Sequence, residues 1–156
     1  MSDPTDGPVF TPAITYRDPK AALDWLERAF GFEVSMAIEG DDASTSHYEM
    51  DLDGRGRIMV GGEWAESTRS PAGLGGACTQ HLHVQLTGDV DEHCRRAREA
   101  GATILAEPED QFYGDRAYRA ADHEGHLWTF GARVREVTRA DAEAAIGVPI
   151  TAPGWA

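Results

Sequence analysis

Basic residues are scarce in this chain: 14 lysines and arginines stand against 27 aspartates and glutamates, a formal charge of -13 over 156 residues. A surface of that sign repels phosphate backbones, which sets nucleic acid aside as a partner. There is no basic amphipathic stretch for an anionic membrane surface. Long apolar runs are missing too, and none approaches the roughly 18 residues of a membrane span. The opening residues, Met1 to Pro8, are polar and acidic and lack the basic and apolar regions of a secretion signal. Cysteine is rare, with only Cys78 and Cys94, and their spacing is not that of a metal site. A reduced, cytoplasmic setting is the simplest expectation, with one disulfide between the two left open. The length suits one domain with a real core and falls short of two independent ones. Two half-domains that need each other would still fit.

What the chain does contain is one pattern written twice. Val9 to Tyr16 is β-prone, with Pro12 pointing to an edge or a strand start. Asp18-Pro19 then supplies a capping carboxylate and a residue suited to the first helical position. Ala22, Leu26, Ala29 and Phe30 recur at helical spacing, Gly31 is placed to end the helix, and Phe32 to Ala37 reads as a strand. The second copy starts at Gln80. His81 to Leu86 alternates polar with apolar, and Asp89 or Asp91 caps a helix over residues 92–100 with Val90, Cys94 and Ala97 on one face. Gly101 stops it, and Ala102 to Leu105 resumes extended structure. Asp18 and Asp89 stand 71 residues apart, Gly31 and Gly101 70 apart. That period exceeds ordinary solenoid repeats and describes a duplicated supersecondary unit.

Each unit continues into further strands. In the first half these are Ser46–Leu52 and Arg57–Gly61, joined by the turn-prone Asp53-Gly54; in the second they are Arg116–Ala121 and His126–Phe130, joined through Asp122 to Gly125. Residues 62–79 are rich in Gly, Ser, Pro and Thr and read as a linker. Thr138 to Asp141 resembles a capping box that opens a third helix, and Trp155 in the tail is expected to pack on this body or on a partner chain. The expected division is a first βαβββ module over 9–61, the linker, a second module over 80–131, and a C-terminal helix and tail over 132–156.

Three segments carry a family resemblance. Tyr16 to Glu33 is similar to the first helix of the vicinal-oxygen-chelate superfamily, which includes glyoxalases, bleomycin resistance proteins and ring-cleaving dioxygenases. Asp89 to Ala102 matches its second helix. Glu107 to Tyr118, followed by Asp122 to Phe130, resembles the family's closing hairpin, nearest in style to the PhnB-like, glyoxalase-like branch. The resemblance implies an α+β fold in which two tandem βαβββ modules form curved mixed sheets around a cleft, often completed by a homodimer. Metal-dependent members present one ligand from each of four strands, where Lewis-acid polarisation and a nearby carboxylate base do the chemistry. Carried over by position, that quartet falls near Thr11, at the end of Met59-Val60-Gly61, on His81 and at Thr129, so only His81 is an ordinary divalent-metal donor.

Alternation places other polar groups in the cleft. Leu82, Val84 and Leu86 should face a helix, leaving His81, His83 and Gln85 toward the cavity; likewise Tyr48, Met50 and Leu52 leave His47 and Glu49. Two readings of His47, Glu49, His81 and His83 stand side by side: an unusual zinc, nickel or iron site, or polar residues that hydrogen-bond a ligand, each other or water, which is the reading the spacing favours. Glu49 is the candidate base, Thr129 a cavity-lining position, and Tyr113 a loop residue placed to close over a ligand. Trp128 and Cys94 read as core, and His93, flanked by Arg95, Arg96 and Arg98, as part of a solvated helix face. No nucleophile elbow or phosphate-cradling glycine loop occurs. The function expected is binding of a small organic molecule between the modules without the usual metal quartet; the alternative is a metal-dependent lyase, isomerase or dioxygenase acting on vicinal oxygens.

Overall fold

A computed structural model describes residues 7–156; the polar start, Met1 to Asp6, lies outside the described residues. The first module runs β1 (Ala13–Thr15), α1 (Pro19–Phe30), β2 (Glu33–Ile38), β3 (His47–Leu52) and β4 (Gly56–Gly61). The second runs β5 (His81–Gln85), α2 (Val90–Glu99), β6 (Thr103–Asp110), β7 (Asp115–Ala121) and β8 (Leu127–Arg133), and α3 (Arg139–Ile146) follows. The sheets have the orders β1-β4-β3-β2 and β5-β8-β7-β6, with β1 parallel to β4 and β5 parallel to β8. The duplication read from spacing is therefore a duplication of topology.

Local chemistry explains the helices. The Asp18 carboxylate accepts from the Ala21 N–H at 3.0 Å, and Gly31, at φ 83°, donates to the carbonyls of Glu27 and Leu26. Asp89 caps α2 through the Glu92 N–H at 3.1 Å. Each cap satisfies amides that the first turn leaves without helical partners. The buried residues of α1 (Ala22, Trp25, Leu26, Ala29, Phe30) and of α2 (Val90, Cys94, Ala97) fall on one stripe per helix, against Tyr48, Met50, Ile58 and Val60 of one sheet and Tyr118, Ala120, Trp128 and Phe130 of the other. In the β3–β4 hairpin, Asp53 (φ 52°) and Gly54 (φ 62°) both take positive φ and the Arg55 N–H returns to the Leu52 carbonyl at 3.0 Å, a type I′ turn matched to strand twist.

Several expectations need correction. The first strand is shorter than Val9–Tyr16: Val9 and Phe10 are exposed, and Pro12 joins the sheet only by accepting from the Met59 N–H at 2.8 Å. β6 runs on to Asp110, five residues past the expected end, because it is an edge strand whose register shifts at Ala106 and Glu109 tolerate Pro108. The stretch 62–79 is a stitched segment: Ser70 is fully buried, opens a short 3-10 turn over Pro71–Gly73, and donates through Oγ to Glu124 at 2.6 Å. Cys78 and Cys94 are both free thiols, and Cys94 is core, its thiol pushed up by burial. Trp155 meets its expectation and packs on this body, donating to the Val137 carbonyl at 2.8 Å.

The modules meet through α1 and α2, and no strand of one sheet pairs with the other. Two corners of the seam use matching parts, the hairpin turn of one module against the residue that leaves the first strand of the other. At one, Tyr16 Oη donates to Asp122 at 2.7 Å, and Glu124 accepts from the backbone N–H groups of Arg17 (2.7 Å) and Asp18 (3.2 Å). Asp122 also accepts from Trp128 Nε1 at 3.2 Å, His126 Nδ1 at 3.2 Å and two backbone amides. Burial pushes the Asp122 carboxyl up, but the bonds from His126, Tyr16 and Trp128 more than offset that and hold it below the usual carboxylate range. At the other corner Thr87 Oγ1 donates to Asp53 at 3.3 Å and Arg55 Nη2 to the Gln85 carbonyl at 3.0 Å, both in exposed surroundings. Between the corners, His93 is turned inward rather than to solvent: its Nδ1 lies 2.7 Å from Tyr118 Oη and its Nε2 3.0 Å from the Phe30 carbonyl. Arg96 reaches back to the carbonyls of Arg28 and Glu27 at 2.7 and 2.6 Å, which makes this flank of α2 a docking face.

Candidate functional site

Each sheet turns one face to its helix and leaves the other open, and the open faces carry the candidate residues. On the first sheet the register aligns His47 with Gly61 and Glu49 with Met59, while Ala13 and Thr15 lie beside Met59 and Gly61 on β1. Tyr48 and Met50 are buried toward α1, so His47 and Glu49 point the opposite way, as alternation predicts. Glu49 Oε1 is 4.0 Å from His47 Nε2 and its Oε2 is 3.0 Å from Arg57 Nη1. Arg57 also grips Asp51 in a bidentate pair of 2.7 and 3.0 Å, which lowers the Asp51 carboxyl. A carboxylate ion-paired on one oxygen keeps the other free to accept a proton or a ligand donor.

On the second sheet His81, His83 and Gln85 align with Leu127, Thr129 and Gly131. Gln85 Nε2 donates to Asp115 at 3.1 Å, and Arg133 Nε closes on the same carboxylate at 2.7 Å, so Gln85 is anchored. Thr129 is only 8% exposed and presents little surface. Gly131 leaves little room above it: a Cβ would stand 3.3 Å from Ala117 Cβ and 3.7 Å from His83 Nε2, so the His83 ring lies across a floor of small residues. Tyr113 stands at the other end of this sheet beside Phe112, with ring centroids 5.2 Å apart. Burial, with Asp115 adding to it and Arg119 opposing, raises its hydroxyl above the ordinary tyrosine value.

Apart from Glu49 and Thr129, these residues line separate recesses. His47 shares one of about 230 Å³ with Thr15, Met59 and Trp64. His81 lies in another of about 130 Å³ with Thr15, Arg69, Cys78 and His126. His83 and Gln85 border a seam groove of about 320 Å³ with Phe32, Arg57 and Trp128. Tyr113 sits with Arg133, Asp141 and Trp155 beside a volume of about 540 Å³ under the C-terminal tail. Among the described residues no group of three or more His, Cys, Asp or Glu side chains is placed to share a metal ion. The donor set agrees: on the paired strands β1–β4 and β5–β8 the open-face positions hold Ala13, Thr15, Met59, Gly61, Leu127, Thr129 and Gly131, and only β5 contributes imidazoles. Thioether, methyl and hydroxyl groups do not fit a hard or borderline divalent cation.

Trp64 is the residue that sequence reasoning missed. Its indole is 68% exposed beside His47 and Met59. The signal was a lone tryptophan inside a polar, glycine-rich segment, where no helix or strand stripe calls for it.

Comparison with known proteins decides the family. The model of the glyoxalase/bleomycin resistance protein/dioxygenase superfamily matches residues 9–130. The chain belongs to that superfamily. Uncharacterised proteins of Mycobacterium bovis and Mycobacterium tuberculosis are 32% identical over 143 residues, spanning 89% of this chain and 92% and 82% of theirs. Among solved structures, TioX from Micromonospora sp. ML1 is 34% identical, with a TM-score of 0.61 over 82% of this chain and 100% of that one. The Listeria monocytogenes fosfomycin resistance protein FosX, seen with Mn(II) and a dihydroxypropylphosphonic acid, has a TM-score of 0.59 over 90% of this chain and 98% of its own. At 17% identity that likeness is one of fold. No helix of the described residues is long and apolar enough to cross a membrane.

Proposed function

We propose that this superfamily member binds a small organic molecule on its open sheet faces, in the manner of bleomycin resistance-like relatives and without the usual metal quartet. The observation that carries the reading is the composition of the first face: an exposed indole, a thioether and an imidazole around a recess of about 230 Å³, where metal-dependent relatives would present oxygen and nitrogen donors. Such a surface suits a planar apolar group, with Glu49 and His47 available to orient polar substituents. Each face is open on its own chain, so the same reading pairs the first-module face with the second-module face of another copy, in a homodimer. His83, Gln85, Thr129 and Tyr113 then serve as the opposite wall. Both thiols being free fits a reducing, cytoplasmic setting. Within the family, the wording of Asp122 to Phe130 supports a place near the PhnB-like branch.

A thermal-shift screen of planar aromatic and heteroaromatic compounds, followed by quenching of tryptophan emission, tests this. Trp25 and Trp128 are buried, and in a Trp155→Phe background, which removes the half-buried tail indole, a bound ring quenches chiefly Trp64. Trp64→Ala is expected to weaken binding by about tenfold while leaving stability within ~0.5 kcal/mol. If no compound raises the melting temperature, or if protein purified without chelator carries a stoichiometric transition metal, the reading fails. The metal result would favour a metal-dependent lyase, isomerase or dioxygenase with Glu49 as its base.

A further inference from the structure

The His93 ring is built into the seam between α1 and α2, as the His123 and His126 rings are at the Tyr16 corner, and its two bonds fix its protonation. The Phe30 carbonyl only accepts, so Nε2 carries the hydrogen and donates across the 3.0 Å contact. The neutral ring then leaves Nδ1 to accept from the Tyr118 hydroxyl at 2.7 Å. Nε2 thus crosses the seam to the end of α1 while Nδ1 is tied to β7 of the ring's own module, and the Phe30, Phe130 and Tyr118 rings close around it at centroid distances of 6.2, 4.5 and 5.8 Å, so the ring stays dry only while the modules are docked. We propose that His93 is an acid-sensitive latch, whose neutral ring holds the two modules together and whose proton uptake opens the seam between α1 and α2.

Adding a proton at Nδ1 turns the Tyr118 oxygen from donor to acceptor and swings its O–H away from its partner. Tyr118 is 1% exposed, and among the described residues its hydroxyl has no second acceptor to turn to while the seam is closed. The charged groups that face the ring are Arg96 on α2 and Asp53 on the β3–β4 turn; α1, β7 and β8 bring only the Phe30 carbonyl, Tyr118 and Phe130. Burial pulls the imidazole below its ordinary value, the Phe30 carbonyl opposes that, Arg96 adds to it and Asp53 opposes it, and the balance lies downward. The sign follows. An opened seam frees His93 to titrate near its ordinary value of about 6.5, while the closed seam stays neutral below it. The latch therefore holds fully above that value and loses hold as pH falls through it. This inference stands apart from the ligand reading, since it needs only the seam.

Amide exchange by mass spectrometry on the full chain tests it, following segments 27–33 and 90–99 and dividing out the intrinsic pH dependence. Opening of the wild-type seam is expected to rise about tenfold between pH 7.5 and 5.5. In His93→Gln, whose amide can donate to Phe30 and accept from Tyr118 without titrating, it should stay flat. Equal pH response in the two proteins, or none in the wild type, overturns the proposal. Ring nitrogen NMR of the wild type decides the matter if the variant does not fold. A neutral Nε2–H tautomer that persists below pH 6.5 supports the latch, and an imidazolium already dominant there overturns it.

Discussion

Replacing Asp122 with alanine removes the acceptor that gathers the buried corner of the seam. Tyr16 is fully buried and Trp128 is 1% exposed, so the Tyr16 hydroxyl and the Trp128 indole N–H each lose a partner with no water at hand. An orphaned buried donor costs about 1–3 kcal/mol, which puts the two together at about 4 kcal/mol. With a urea slope of about 2 kcal/mol per molar, the unfolding midpoint should fall by about 2 M. Tyr16→Phe is the control: it takes one donor away and leaves the carboxylate held by the others, for a cost of about 1 kcal/mol. The double variant should lose less than the two singles added, because the Tyr16–Asp122 bond can be lost only once. A pH series adds a second reading. The carboxyl sits below its ordinary range in the folded state, so its contribution is present above about pH 4 and drains away as pH falls through the folded value. An Asp122→Ala loss under about 1 kcal/mol would refute the view that this carboxylate holds the modules together.

Three further outcomes are expected. Gly62→Ala would set a Cβ 2.0 Å from the Ala43 carbonyl oxygen and 2.5 Å from its carbon, backbone that cannot step aside cheaply, so urea unfolding should show a loss of about 2–3 kcal/mol. Glu124→Ala frees the amides of Arg17 and Asp18 and the Ser70 hydroxyl; it should cost about 2 kcal/mol and speed amide exchange at the start of α1. Asp18→Ala, removing the cap of α1, should cost about 1 kcal/mol in the same denaturation assay.

The frame of the fold was legible because its signals are local. Asp18, Asp89 and Gly31 act on residues three to five positions away, and the Asp53-Gly54 turn needs only its own dihedral angles. Strand alternation likewise placed His47, Glu49, His81, His83 and Gln85 on open faces. What could not be read was how those faces share space. The four candidate ligands belong to two sheets that meet through helices, and nothing in strand periodicity tells which recess a side chain joins. His93 misled for a similar reason. Arg95 and Arg98 do turn outward to Glu92, Glu99 and Glu107, but Arg96 folds across the seam onto carbonyls 68 and 69 positions away, and a contact of that range leaves no mark on the helix's own pattern.

The unequal corners give the molecule a fulcrum. Tyr16 and Asp122 are clamped out of water, whereas Asp53–Thr87 and Arg55–Gln85 are surface bonds open to solvent. Any rocking of one half against the other must pivot on the dry end and gape at the wet one, as jaws do. Such a rotation about a single axis would widen the wet end without rebuilding either sheet.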